Sequence, residues 1–198
     1  ITINIAEADD AERERLRLAM AEPYRTLLGH FRHEVGHYYW EWLARSERWL
    51  ASFREHFGDE RQDYAKALET HYQQANVVDW TTTFVSHYAS AHPWEDWAET
   101  WAHYLHMVDA LETAYEFGMK LQPQIKTDEN LAVTINFNAY YEANFDQIIA
   151  TWFPVTYAVN SLNRSMGHID LYPFVLSPAV LAKMKFVHYS IHEFANQP

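Results

Sequence analysis

The sequence predicts a mainly α-helical single domain with little or no sheet, and three observations predict it. Apolar residues recur at three- and four-residue spacing through most of the chain, while only Ile1 to Ile5 alternates like a strand. Helix boundaries are legible, with Pro23 and Pro93 where first-turn prolines are favoured and Gly58 and Gly118 where a helix ends in a left-handed residue. The 198 residues, 48% hydrophobic and 21% charged, suit one globular core, and no repeat or low-complexity tract divides them. The domain is therefore read as residues 1–198.

Taken in order, Glu7 to Met20 is charged and periodic enough for a short helix, and Pro23 opens a second that runs to Leu43. Glu47 to Phe57 reads as a continuation of it or a third helix, and Asp59 to Gln74 as a fourth that is polar and peripheral. Asn76 to Ala91 is irregular, with Thr81, Thr82 and Thr83 in a row, and is read as a loop crossing a cleft. Trp94 to Phe117 is the strongest helix. Its apolar face is Trp94, Trp97, Ala98, Trp101, Leu105 and Val108; Glu95, Glu99, His103 and His106 form a polar stripe that faces either solvent or a metal. Asn138 to Phe153 and Pro154 to Met166 read as helical, Gly167 to Pro178 as irregular, and Pro178 to Phe194 as the last helix.

Composition excludes several functions. A net charge of −12 without clustered Lys or Arg argues against nucleic acid or an anionic membrane as partner, because phosphates need concentrated positive charge. The absence of Cys excludes disulfides and thiolate zinc sites, so any metal must be held by His, Asp or Glu. No apolar run approaches the roughly 20 residues of a membrane span, and no signal peptide is visible. The expected location is cytoplasmic, with allowance for a missing upstream segment because the chain opens at Ile1. Eight Trp and thirteen Tyr supply large amphipathic surfaces, read mostly as core.

The chemistry is concentrated in His33-Glu34-Val35-Gly36-His37, inside the second helix. Histidines four apart on a helix lie about 40° apart on one face, so both imidazoles reach one zinc ion, with Glu34 beside them to handle a proton. A catalytic zinc takes three protein ligands, so a third must come from elsewhere. A metzincin would place another His within six residues, and Trp40-Glu41-Trp42-Leu43-Ala44 offers none. A glutamate on a second helix is the other solution, and Glu95 and Glu99 share a face of the helix opened by Pro93. Glu95 is assigned as ligand and Glu99 as acceptor of a hydrogen bond from a zinc-bound imidazole. Spacing alone leaves an exchange of these roles open. Asp96, about 100° round the helix, reads as a first-turn charge. His30, one turn before His33, and His92, just ahead of Pro93, are read as supporting a ligand or touching substrate. Trp40 is placed as a wall of the cleft, and His188 and His192 as a coincidence of spacing.

The Glu-x-x-Ala-Glu arrangement of 95–99 after a His-Glu-x-x-His helix resembles the gluzincins, in particular the variant in anthrax lethal factor. There the first Glu is the ligand and a tyrosine seven residues earlier assists catalysis, which here points to Tyr88. More closely still, the segments Gly29 to Trp40, His92 to Tyr104 and Asp170 to Pro178 are similar to a bacterial family described as zinc-binding metallopeptidases, across nearly the whole chain. That family often carries an N-terminal zinc ribbon, whose Cys ligands this sequence lacks. The resemblance implies a zincin-like fold and hydrolysis of a peptide or protein. Zn2+ held by His33, His37 and Glu95 activates water, Glu34 is the general base, and Tyr88 donates to the oxyanion. The competing expectations are a zinc-binding interaction domain without catalysis and a zinc hydrolase of a non-peptide amide.

Overall fold

The computed structural model describes residues 26–73, 79–124 and 129–195, together with residues 9, 11 and 15. The expected strand at Ile1 to Ile5, and the helix at Glu7 to Met20 apart from those three positions, lie outside the described residues. The fold is mainly α. Six helices are described: α1 (Leu27–Leu43), α2 (Glu47–Phe57), α3 (Tyr64–Gln73), α4 (Pro93–Glu116), α5 (Phe145–Ser165) and α6 (Pro178–Ala195). Strands β1 (Lys120–Leu121) and β2 (Val133–Thr134) pair antiparallel, Lys120 opposite Thr134 and Leu121 opposite Val133. No described helix is long and apolar enough to cross a membrane.

Local chemistry sets the helix ends. Helix α1 starts later than Pro23 suggests, because Thr26 is extended (φ −124°, ψ 153°) and its side-chain oxygen accepts the Gly29 N–H at 2.9 Å. Helix α2 is capped by Ser46, and Gly58 ends it at φ +98°, donating to the Arg54 carbonyl. Helix α3 is shorter than expected. Residues 59–63 are spent on a turn in which the Asp59 carboxylate takes the Arg61 N–H and guanidinium, and Asp63 then caps the helix by accepting the Lys66 N–H at 3.0 Å. The predicted irregular segment contains single helical turns at Trp80–Thr82 and Tyr88–Ala91.

The described residues divide into two compact units. One comprises Ile1–Tyr104 and Phe174–Pro198 and contains α1, α2, α3, the first half of α4, and α6. Its core is aromatic. Trp49 meets the Trp97 ring edge-on at 5.2 Å, Phe53 stacks on Phe57 at 5.0 Å, and Phe186 of α6 closes on Trp49 at 5.5 Å. Trp49 Nε1 donates to Ser190 Oγ at 2.8 Å, so the polar edge of this indole is satisfied inside the core. Each such side chain contributes roughly 1.5–3 kcal/mol by burial.

The other unit, Leu105–Pro173, holds the second half of α4, the strand pair and α5. The two helices expected at 138–153 and 154–166 are one helix that starts at Phe145, because Asn144 is extended and its side chain accepts the Asp146 N–H. Pro154 lies inside it, buried, and the helix continues past the missing donor. Asn160 holds the segment after α5 by two hydrogen bonds, donating to Tyr172 O at 2.9 Å and accepting from Tyr172 N at 3.0 Å.

What positions the site is the crossing of α1 over α4. A Cβ placed on Gly36 would stand 3.1 Å from Ala98 Cα and 3.1 Å from Trp101 Cβ and Cγ, and Trp97 Nε1 donates to the Gly36 carbonyl at 2.9 Å. The backbones meet at their two smallest side chains. Gly36→Ala therefore has to push the helices apart by a few tenths of an ångström. It is expected to lower stability by about 1–3 kcal/mol without loss of helix, read as a lower urea midpoint with an unchanged far-ultraviolet circular dichroism spectrum.

Candidate metal centre

The crossing brings His33 and His37 of α1 against Glu95 in the first turn of α4. His33 Nε2 is 3.0 Å from His37 Nε2 and 3.0 Å from Glu95 Oε2, and His37 Nε2 is 3.4 Å from the same oxygen. Among the described residues this is the group of His, Asp and Glu side chains placed to hold a metal ion. Three ligand atoms around a tetrahedral zinc, at about 2.0–2.2 Å from it, stand roughly 3.3–3.5 Å from one another, so the three edges are those of a nearly formed ligand face. Glu95 is 2% exposed and His33 8%, and Glu95 Oε2 is buried without a hydrogen-bond donor. A buried carboxylate oxygen with no donor, facing two imidazole nitrogens, fits a cation.

The remaining atoms of these ligands are held by other groups. His33 Nδ1 donates to Glu99 Oε1 at 2.7 Å, and Glu99 Oε2 accepts from Ser86 Oγ at 2.6 Å. This fixes the His33 ring with Nε2 toward the centre, the arrangement by which a carboxylate orients a metal-bound histidine. Burial disfavours the His33 cation, but carboxylates on both of its nitrogens win, and its pKa stands at about 10. Burial likewise opposes ionisation of Glu95 and Glu99, and their histidine partners hold both below the ordinary carboxylate range. On the other face, Trp94 lies over His37 with ring centroids 3.8 Å apart.

The other residues singled out in the sequence take varied places. Glu34 pairs with His30, Nε2 to Oε1 at 3.4 Å, on the half-exposed side of α1. The Tyr88 ring is 6.0 Å from His33; burial, then the nearby Glu95 carboxylate, push its phenol pKa up, so it stays protonated. His92 does not touch the centre. Its Nδ1 accepts the Trp94 N–H at 3.1 Å and so caps α4, while Tyr64 meets its ring edge-on at 5.3 Å. Trp40 packs on Phe53 and Trp94 rather than standing alone as a wall. The polar stripe of α4 turns inward: His103 is 5% exposed against Phe174, with burial holding its pKa down at about 4. His188 is fully buried and bonded to the Tyr104 hydroxyl at 2.9 Å, a contact inside the core.

Four functional features were not found from sequence. Tyr64 donates its hydroxyl to Glu95 Oε1 at 2.6 Å from a helix expected to be peripheral. Ser86 supports Glu99, Trp94 covers His37, and Gly36 and Ala98 make the crossing. Only the last left a sequence signal, as the small residues inside the two motifs.

A family model described as "Putative zinc-binding metallo-peptidase" matches residues 1–190. An uncharacterized protein of Mycobacterium bovis and two of Mycobacterium tuberculosis are each 50% identical over 196 residues, covering 98% of this chain and 55% of their own length. No solved structure matches.

Beneath the ligand turn, Asp96 is fully buried and Lys183 of α6 reaches it, Nζ to Oδ2 at 2.6 Å, while also donating to Thr83 O at 2.8 Å. Asp96 is the first-turn charge that the sequence suggests, and its burial makes it an internal anchor of the turn that carries Glu95. Lys183→Met strands the carboxylate and is expected to cost about 3–5 kcal/mol, whereas adding Asp96→Leu to it should recover much of the loss. Urea midpoints of the wild type, single and double variants measure both.

Proposed function

This chain belongs to the family matched over residues 1–190, and from that premise we propose that it is a zinc-dependent peptidase with its centre at His33, His37 and Glu95. The observation that carries this reading is the convergence of His33 Nε2, His37 Nε2 and Glu95 Oε2 within 3.4 Å of one another, with the carboxylate oxygen buried and undonated. The gluzincin-type assignment follows the same geometry, a glutamate from a second helix completing the two histidines.

Zinc bound by these three residues supplies a Lewis acid that polarises water and a substrate carbonyl. The chain supplies the rest. Glu34, next to His33 on α1, accepts a proton from the attacking water at its carboxylate and returns it to the leaving amine. Glu99, held by Ser86, keeps His33 in one tautomer and orientation. Tyr88, protonated and 6.0 Å ring to ring from His33, donates to the oxyanion of the tetrahedral intermediate. Trp94 and the buried setting exclude bulk water from the histidines, which strengthens each charge interaction there.

Elemental analysis is expected to give one zinc per chain in the wild type and none in Glu95→Ala. With a mixed peptide pool read by mass spectrometry, Glu34→Gln should keep its zinc and lose roughly 10²- to 10⁴-fold in cleavage rate. Zinc-loaded wild type that cleaves no peptide, but releases product from simple amides, would replace the peptidase by an amide hydrolase; no zinc at all would end the metal reading. Tyr88→Phe should also keep its zinc and lose about 10²- to 10³-fold in kcat, and a full turnover rate would remove Tyr88 from the reaction.

A further inference from the structure

Helix α3 buries none of its ten residues, yet its first residue reaches into the most buried part of the centre. Glu95 offers two oxygens. Tyr64 donates to Oε1 at 2.6 Å, and Oε2 is left facing His33 Nε2 at 3.0 Å and His37 Nε2 at 3.4 Å. The Tyr64 ring is set edge-on against His92 at 5.3 Å and Trp94 at 5.9 Å, which precede Glu95 at the start of α4. With Oε1 engaged, the carboxylate is held with one oxygen toward the two imidazoles. Without the phenol it is free to rotate about its terminal bond and present both oxygens or neither.

We propose that Tyr64 is a positioning residue for the metal centre, fixing Glu95 as a one-oxygen ligand and coupling metal binding to the docking of α3. The inference rests on the metal centre assigned above. The coupling is reciprocal by linkage: whatever Tyr64 adds to zinc affinity, zinc returns to the attachment of α3. Helix α3 is also held by His71, whose ring lies beside that of His87 with centroids 4.3 Å apart and whose Nδ1 is 3.4 Å from Ser90 Oγ, and just before the helix the His92 ring donates to Gln62 O at 3.3 Å. The phenol contact is the one that ties α3 to the metal ligand itself.

The test compares wild type, Tyr64→Phe and, as a control from the same helix, Tyr72→Phe, whose side chain is 60% exposed. Zinc affinity is measured by competition with a chromophoric chelator, and amide hydrogen exchange of α3 is followed with and without zinc. Tyr64→Phe is expected to weaken zinc by about 10- to 100-fold, the usual effect of losing a partner of a metal ligand, with the far-ultraviolet circular dichroism of the zinc-free protein unchanged and Tyr72→Phe equal to wild type. Exchange in α3 should slow when zinc binds the wild type and respond little in Tyr64→Phe. Equal zinc affinity in wild type and Tyr64→Phe, or α3 exchange indifferent to zinc in the wild type, overturns the proposal and leaves the peptidase reading intact. A wild type that binds no zinc removes both.

Discussion

The close approach of α1 and α4 at Gly36 and Ala98 is the constraint on which the centre depends. Two histidines one helical turn apart fix only an edge of a ligand set; the third ligand must arrive from another helix at a depth set by the contact beneath it. A methyl group on Gly36 would already stand 3.1 Å from the facing backbone and from Trp101, so there is no slack at this point. The glycine of the motif is thus explained by packing and the histidines by chemistry. Trp97, which donates to the Gly36 carbonyl, locks the same contact with a hydrogen bond in the protein interior, where its loss would leave the buried indole N–H unpaired.

Burying so much charge is costly, and the protein offsets it by pairing in layers. Glu95 faces both histidines, Glu99 faces His33 and Ser86, and Asp96, one residue on, faces Lys183. Consecutive carboxylates at 95 and 96 thus point into different partners, one set for a metal and one set for an ammonium. That separation keeps them from competing for a single cation. A buried pair such as Asp96 with Lys183 adds little net stability over an apolar equivalent, so its value lies in fixing the turn from which Glu95 projects.

Much of this was legible in the sequence, for physical reasons that differ by element. His33, His37, Glu95 and Glu99 were readable because helical periodicity alone dictates which residues share a face, and Pro93, Gly58 and Gly118 because backbone conformation restricts residue choice. Thr26 and Asn144 shifted two helix starts, since a side chain that caps outcompetes a proline or a polar run as a boundary. Tyr64 was not legible: a contact across 31 positions from a polar helix leaves no periodic trace. Nor was the inward turn of the polar stripe. Amphipathicity separates apolar from polar faces, but it cannot say whether the polar face meets water or a set of buried partners, and His103, at 5% exposure, met the latter.

On the proposed reading, the groups beside the centre govern how a substrate would meet it. A cleft of about 570 Å3 runs between α3 and residues 84–91, lined by polar groups that include Lys66, Thr70, His71, His87 and Ser90. The Tyr88 ring lies 6.3 Å from His71 on that cleft and 6.0 Å from His33 at the centre, so one phenol stands between the two. Catalytic hydrogen bonds that form only with substrate in place are common. On the proposed reading, donation from Tyr88 to an oxyanion is such a bond, made only once a carbonyl stands beside His33, His37 and Glu95.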